Sequence, residues 1–131
     1  MTRGAISAGA AGRGRRCAKV YGLIGLCAKK GSVVSGADAC ENAIRNGVDG
    51  IMILAGDSSG NTKQKFIRLS QDKGVEYIIF GSCSELGRRI GRGERSVMII
   101  NDRGLSREIR VLLGLVGAEN GGAEFGKNQS L

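Results

Sequence analysis

Four arginines, Arg88, Arg89, Arg92 and Arg95, fall within eight positions and are interrupted by Gly91 and Gly93. A guanidinium presents a planar fork of donors that matches phosphate oxygens, and glycine lets the backbone come close to the same anion. Taken alone, such a run is either a phosphate-binding strip or a solvated face. Lys29 and Lys30 form a second basic pair, placed where a helix C-terminus would favour cations in any case. The chain has no histidine, so Ser-His and Cys-His catalysis are ruled out. Asp57 follows the apolar run IMILA, a position where α/β enzymes often keep an acid. The reading preferred here is structural: Asp57 caps the loop and helix that follow through Ser58 to Asn61. No G-x-x-x-x-G-K-[ST] occurs, and no G-x-G-x-x-G lies between a strand and a helix, so a nucleotide-cradling loop is not expected.

Cys17, Cys27, Cys40 and Cys83 include no C-x-x-C pair, and without histidine they do not form a zinc site. Cys27 and Cys40 lie on apolar helix faces and read as small buried hydrophobes. No cofactor and no metal are expected. The net charge of +8 favours an anionic partner. Arg3, Arg13, Arg15 and Arg16 sit in the first sixteen residues without an acid, yet residues 17 to 117 keep their own excess of base. Aromatics make up only 4% of the chain, too few for a binder that works by stacking bases on exposed rings. With no secretory segment and no apolar run near 18 residues, the expectation is a cytoplasmic protein with reduced thiols and no membrane partner.

These residues need a scaffold. At 131 residues the chain is long enough for one domain with its own core. Residues 1 to 16 (Gly, Ala and Arg without a hydrophobic period) and 117 to 131 (Gly-rich and polar) are expected to be disordered tails around a single domain at 17 to 116. Inside it, Val20, Leu23, Ile24 and Cys27 recur at helical spacing up to Gly31, and Val33–Val34 are a short extended piece. Cys40, Ala43 and Ile44 mark a second helix ending at Gly47. IMILA (51 to 55), YIIF (77 to 80) and VMII (97 to 100) read as strands covered on both faces. Asn61 with Gln64, and Ser82 with Glu85, have capping-box spacing and open two further helices. The first carries Phe66 and Leu69 inward and Lys63, Lys65, Arg68 and Lys73 outward. Leu105, Ile109 and Leu112 form the face of a last helix. The order α-β-α-β-α-β-α-β-α predicts an α/β fold with helices on both sides of one sheet.

From Tyr21 to Leu113 the chain resembles the ribosomal-protein superfamily whose archaeal and eukaryotic members bind kink-turn RNA, and within it the small bacterial YlxQ-like branch. The resemblance rests on GLIGLCAKKGSVVSG (22 to 36), ILAGDSSGNTKQK (53 to 65) and SELGRRIGRGERSVMIINDRGLSREI (84 to 109). It implies a three-layer α-β-α sandwich with a small mixed four-stranded sheet. It also implies that RNA is held where the first strand passes into the second helix, at a Gly-x-Asn-Glu-x-x-Lys pattern whose matching residues here are Gly36, Ala37, Asp38, Ala39 and Asn42. Asp38 stands for Asn, Ala39 for Glu and Asn42 for Lys, which replaces a donor-acceptor by an acceptor and removes one cation from the phosphate-facing set. Asp38 also reads as a helix N-terminal acid next to a Ser35 cap. The second RNA-facing region that the resemblance implies is the loop from Gly91 to Arg95, which tips the arginine run towards RNA.

The expected function is therefore non-catalytic binding of structured, kink-turn-like RNA, as a ribosomal-protein-like or translation-associated accessory factor. Ribosomal RNA is one candidate partner, and no small-molecule substrate is expected. Lys30, Arg88, Arg92 and Arg95 would meet phosphate, and Ser35, Gly36, Ala37, Asp38 and Asn42 would form the specificity element. The alternative is a protein-interaction module that kept the fold and lost specific RNA binding, as Ala39 and Asn42 would permit.

Overall fold

The computed structural model describes residues 16 to 114 and the backbone of 11 to 15 and of 125 to 126. Five helices and five strands follow one another: α1 (Ala11–Lys29), β1 (Val33–Ser35), α2 (Ala37–Arg45), β2 (Ile51–Leu54), α3 (Gly60–Lys73), β3 (Glu76–Ile79), α4 (Cys83–Arg89), β4 (Val97–Ile100), α5 (Arg103–Leu112) and β5 (Phe125–Gly126). The strands form one mixed sheet in the order β1-β4-β2-β3-β5. β4 runs antiparallel to both β1 and β2, while β2 and β3 are parallel. β1, β2 and β3 therefore all point the same way, and α2 and α3 both start from the end of the sheet where those strands finish.

Side chains alternate across the strands, and each face has its own helical layer. Ile51, Ile53, Ile78, Met98 and Ile100 pack with Val20, Ile24 and Cys27 of α1, Leu86 of α4 and Ile109 of α5. Met52, Leu54, Val97 and Ile99 pack with Cys40 and Ile44 of α2 and with Phe66 and Leu69 of α3. This is the three-layer sandwich, with the four expected strands in mixed orientation.

Several details differ from expectation. α1 begins at Ala11, within the stretch read as a tail, so the first helix reaches well beyond the four periodic residues that announced it. Residues 125 to 126, also assigned to a tail, add a short strand to the free side of β3. The remainder of both proposed tails lies outside the described residues. Only β2 and β4 are buried on both faces; β1 is half-buried throughout and β3 is buried only at Ile78, because both lie towards the rims of the sheet. The cap of α3 is Ser59, whose Oγ accepts from the Thr62 amide, and not Asn61, which lies inside the helix. Ser82 caps α4 as its spacing predicts, accepting from the Glu85 amide at 3.2 Å.

Candidate RNA-binding edge

The transition from β1 to α2 places Gly36 at the N-cap of α2, with φ 95°, a left-handed value that glycine adopts without strain. Gly36 has no side chain to accept from the first turn, so the leading amides of α2 have no side-chain cap. Such an end, with the positive pole of the helix dipole behind it, suits an anion. Ser35, expected as the cap, is the last residue of β1 and faces Met98 across the sheet. Ala37, Asp38, Ala39 and Asn42 are all exposed along this first turn and the next. Among the described residues no side chain pairs with Asp38 or Asn42, which leaves both facing solvent.

The arginine loop joins the same end of the sheet. The Gly36 amide donates to the Val97 carbonyl at 3.1 Å, tying the start of α2 to the start of β4. The loop from Ile90 to Ser96 leads directly into that strand. It is folded tightly back on α4: the Arg92 amide donates to the Gly87 carbonyl at 2.8 Å and the Arg95 amide to the Cys83 carbonyl at 3.0 Å. A Cβ at Gly87 would lie 1.9 Å from the Gly93 carbonyl oxygen, so only glycine permits this approach. Arg92 is exposed and has no partner among the described residues. Among the described residues the Arg95 guanidinium donates only to the carbonyls of Gly93 and Glu94. Neither guanidinium is paired with a carboxylate among the described residues.

Arg88 and Arg89 are engaged differently. Glu85 accepts from Arg88 at 2.8 Å and from Arg89 at 2.7 Å, and the two arginines hold its carboxyl below the usual range. Arg89 also lies 5.0 Å from the centre of the Tyr21 ring, which packs on Phe80. Arg88 remains 70% exposed despite its partner, so it can still turn outward.

Lys30 does not belong to this edge. Its Nζ donates to Asp102 Oδ2 at 2.6 Å, just beyond the end of β4, which is the opposite end of the sheet from Gly36. The sequence places Lys30 only six residues before Gly36, but β1 carries the chain across the sheet between them. The same end holds the ion pairs Arg103–Asp49 and Arg110–Glu76.

Asp57 is structural, though not in the expected way. Its Oδ1 accepts from the Cys83 amide at 2.8 Å, closing the first turn of α4 across the loops, and this bond holds its carboxyl below the ordinary carboxylate range. The helix that follows Asp57 is capped by Ser59 instead. Cys27 and Cys40 are buried as expected, and burial pushes their thiols up to about 11 and about 12. Three contributors are not apparent from the sequence: Glu85 as the holder of two arginines, Tyr21 beneath Arg89, and Asp102 as both partner of Lys30 and cap of α5. Two of them have a local signal: Glu85 stands three and four residues before Arg88 and Arg89 on one helix, and Asp102 is an acid directly before an apolar helical period. Among the described residues no group of three or more His, Cys, Asp or Glu could hold a metal ion, and no helix is long and apolar enough to cross a membrane.

Known proteins resemble this chain in sequence and fold. Residues 18–110 match the Ribosomal protein L7Ae/L30e/S12e/Gadd45 family. The RNA-binding protein YlxQ of Bacillus subtilis (strain 168) is 33% identical over 93 residues, covering 71% of this chain and 93% of that protein. The RNA-binding protein YlxQ of Enterococcus faecium is 32% identical over 95 residues, 72% of this chain and 91% of its own. Among solved structures, a protein of unknown function from Bacillus halodurans C superposes with a TM-score of 0.69 at 32% identity, over 72% of this chain and 96% of its own. The Giardia lamblia 15.5kD RNA binding protein shares the fold, with a TM-score of 0.66 at 22% identity over 78% and 88%. This chain belongs to the Ribosomal protein L7Ae/L30e/S12e/Gadd45 family.

Proposed function

We propose that this chain binds structured, kink-turn-like RNA without catalysis, as a ribosomal-protein-like or translation-associated accessory factor in the cytoplasm, with ribosomal RNA as a candidate partner. The observation that carries this reading is the α2 N-terminus without a side-chain cap, joined through the Gly36–Val97 hydrogen bond to a loop whose Arg92 and Arg95 have no acidic partner among the described residues. An anionic backbone fits both features at once. The names of the two bacterial relatives, both RNA-binding proteins, support the same partner class.

In this reading the amides of Ala37 and Asp38 face phosphate or base-edge acceptors, and the Asp38 and Asn42 side chains read the RNA. Arg92 and Arg95 meet phosphate, with Arg88 released from Glu85 to join them. Asp38 accepts but does not donate, and Ala39 contributes no polar group, so most of the affinity comes from phosphate. Filter binding of the full chain to a kink-turn RNA and to a plain duplex, over a salt series, tests this. Expected is salt-dependent binding of both RNAs with a modest preference for the kink-turn. If neither RNA binds at low salt, the reading fails and the protein-interaction module takes its place.

A further inference from the structure

A second basic surface lies on the opposite helical layer from α1, α4 and α5. The structure assigns the groove between α2 and α3 to the phosphate backbone of an RNA stem that continues past the edge, an inference that rests on the function proposed above. The groove has a volume of about 530 Å³ and is lined by Arg45, Lys65, Arg68, Leu69, Asp72 and Lys73.

The sequence places Lys65, Arg68 and Lys73 outward on α3, and the fold adds Arg45 from α2. Glu41 answers two of these cations, lying 2.9 Å from Arg45 and 3.0 Å from Lys65. Both stay about half exposed in those pairs. Arg68 and Lys73 are exposed and have no acidic partner among the described residues.

Direction links the groove to the edge. α2 and α3 both start at the end of the sheet that carries Gly36, so the groove between them runs away from that end. From Lys65 to Lys73 the rise along α3 is about 12 Å, a length that meets two or three successive phosphates. Among the described residues lining the groove, only Asp72 opposes an anion. Leu69 is buried, and the two large hydrophobics exposed among the described residues, Leu26 and Val111, lie on α1 and α5 in the other layer. A protein partner would want an apolar centre for its interface, which this groove lacks; a polyanion needs only the cations.

The test uses the full chain with a kink-turn RNA whose two flanking stems are shortened one at a time. Arg68→Ala with Lys73→Ala is expected to weaken binding of the long-stemmed RNA severalfold and to lower its salt slope by about 1.4 to 1.8, from about 0.7 to 0.9 for each phosphate no longer neutralised. The same double change should leave unaffected the RNA lacking the stem that lies in the groove. Asp72→Asn should tighten binding of the long-stemmed RNA. Arg107→Ala, an exposed α5 arginine in the other layer, should do neither, which separates a local effect from a change in net charge. If the unsubstituted chain prefers kink-turn RNA but the groove changes act no differently from Arg107→Ala, the groove assignment is overturned and the edge survives. If no RNA binds, the edge and the groove fail together. If a polyglutamate peptide binds in a way that depends on Arg68 and Lys73 while RNA affinity does not, the groove belongs to an acidic protein segment and the assignment is overturned.

Discussion

The two ends of the sheet carry the same types of charged residue and use them in opposite ways. Where β4 finishes, acids answer the cations: Lys30 is held by Asp102, Arg103 by Asp49 and Arg110 by Glu76. Where β4 starts, Arg92 has no partner among the described residues, Arg95 reaches only backbone carbonyls, and α2 opens without a side-chain cap. Those three cations are answered within the protein. At the second, Arg92 and Arg95 have no carboxylate partner among the described residues. A basic residue therefore says little about function until its end of the sheet is known, and Lys30 shows how sequence proximity misleads.

Crowding at each end gives the largest effect. Gly87→Ala forces a methyl to within 1.9 Å of the Gly93 carbonyl, and Gly50→Ala to within 2.0 Å of the Ile100 carbonyl. Each should cost about 1 to 3 kcal/mol of stability in urea melts, as overpacking does. Only Gly87→Ala should also weaken RNA binding by the folded protein, because it displaces the arginine loop. Equal loss of binding in both variants would erase the distinction between the ends.

Asp38→Asn, Ala39→Glu and Asn42→Lys together should sharpen the kink-turn preference over duplex by about 1 to 3 kcal/mol, the worth of one good bidentate pairing with a base. Competition binding reads this ratio directly. An unchanged ratio would mean that the start of α2 does not read the RNA.

Arg92→Ala and Arg95→Ala should weaken binding to all RNAs alike and lower the salt slope by about 0.7 to 0.9 for each phosphate left without its arginine. Lys30→Ala, at the closed end, should leave that slope where it is. A slope that falls with Lys30→Ala would place RNA on the wrong end of the sheet.

The smallest effect concerns acid. Asp57 and Asp102 are held below the ordinary carboxylate range, Asp57 by the Cys83 amide and Asp102 by Lys30 and the Leu105 amide. A carboxylate with a lowered folded value adds stability that is present above its unfolded pKa of about 4 and is lost as the pH falls through the folded one. Denaturation midpoints should be insensitive to these groups near neutrality and decline below about pH 4. Asp57→Asn and Asp102→Asn should each flatten that decline. A decline as steep as in the unsubstituted chain would show that neither carboxylate is the group being protonated.

The elements are legible in the sequence because their signals are local. Runs such as IMIL and VMII announce central strands, and the spacing of Cys40 and Ile44, or of Phe66 and Leu69, announces which helix face is covered. The family resemblance likewise leads to Gly36 and the arginine loop from residue types and order alone. The cap of α3 and the length of α1 are not legible in this way, because two local signals compete at the first and none is present at the second. Ser59 and Asn61 are both good capping types, two residues apart, and the capping-box spacing of Asn61 with Gln64 points to the one that the helix does not use.

What the sequence determined by itself was the order of the five helices and the first four strands, the two-sided burial of β2 and β4, the small-hydrophobe role of Cys27 and Cys40, and the excess of positive charge. Tertiary structure alone decided which charges are answered from distant parts of the chain. Lys30 and Asp102 are 72 residues apart, Arg103 and Asp49 are 54 apart, and Asp57 caps a helix 26 residues further along the chain. Periodicity and capping act over a few residues and survive in any segment read alone. Neutralisation acts through space, over a few ångströms between groups that the chain brings together only once the sheet is assembled.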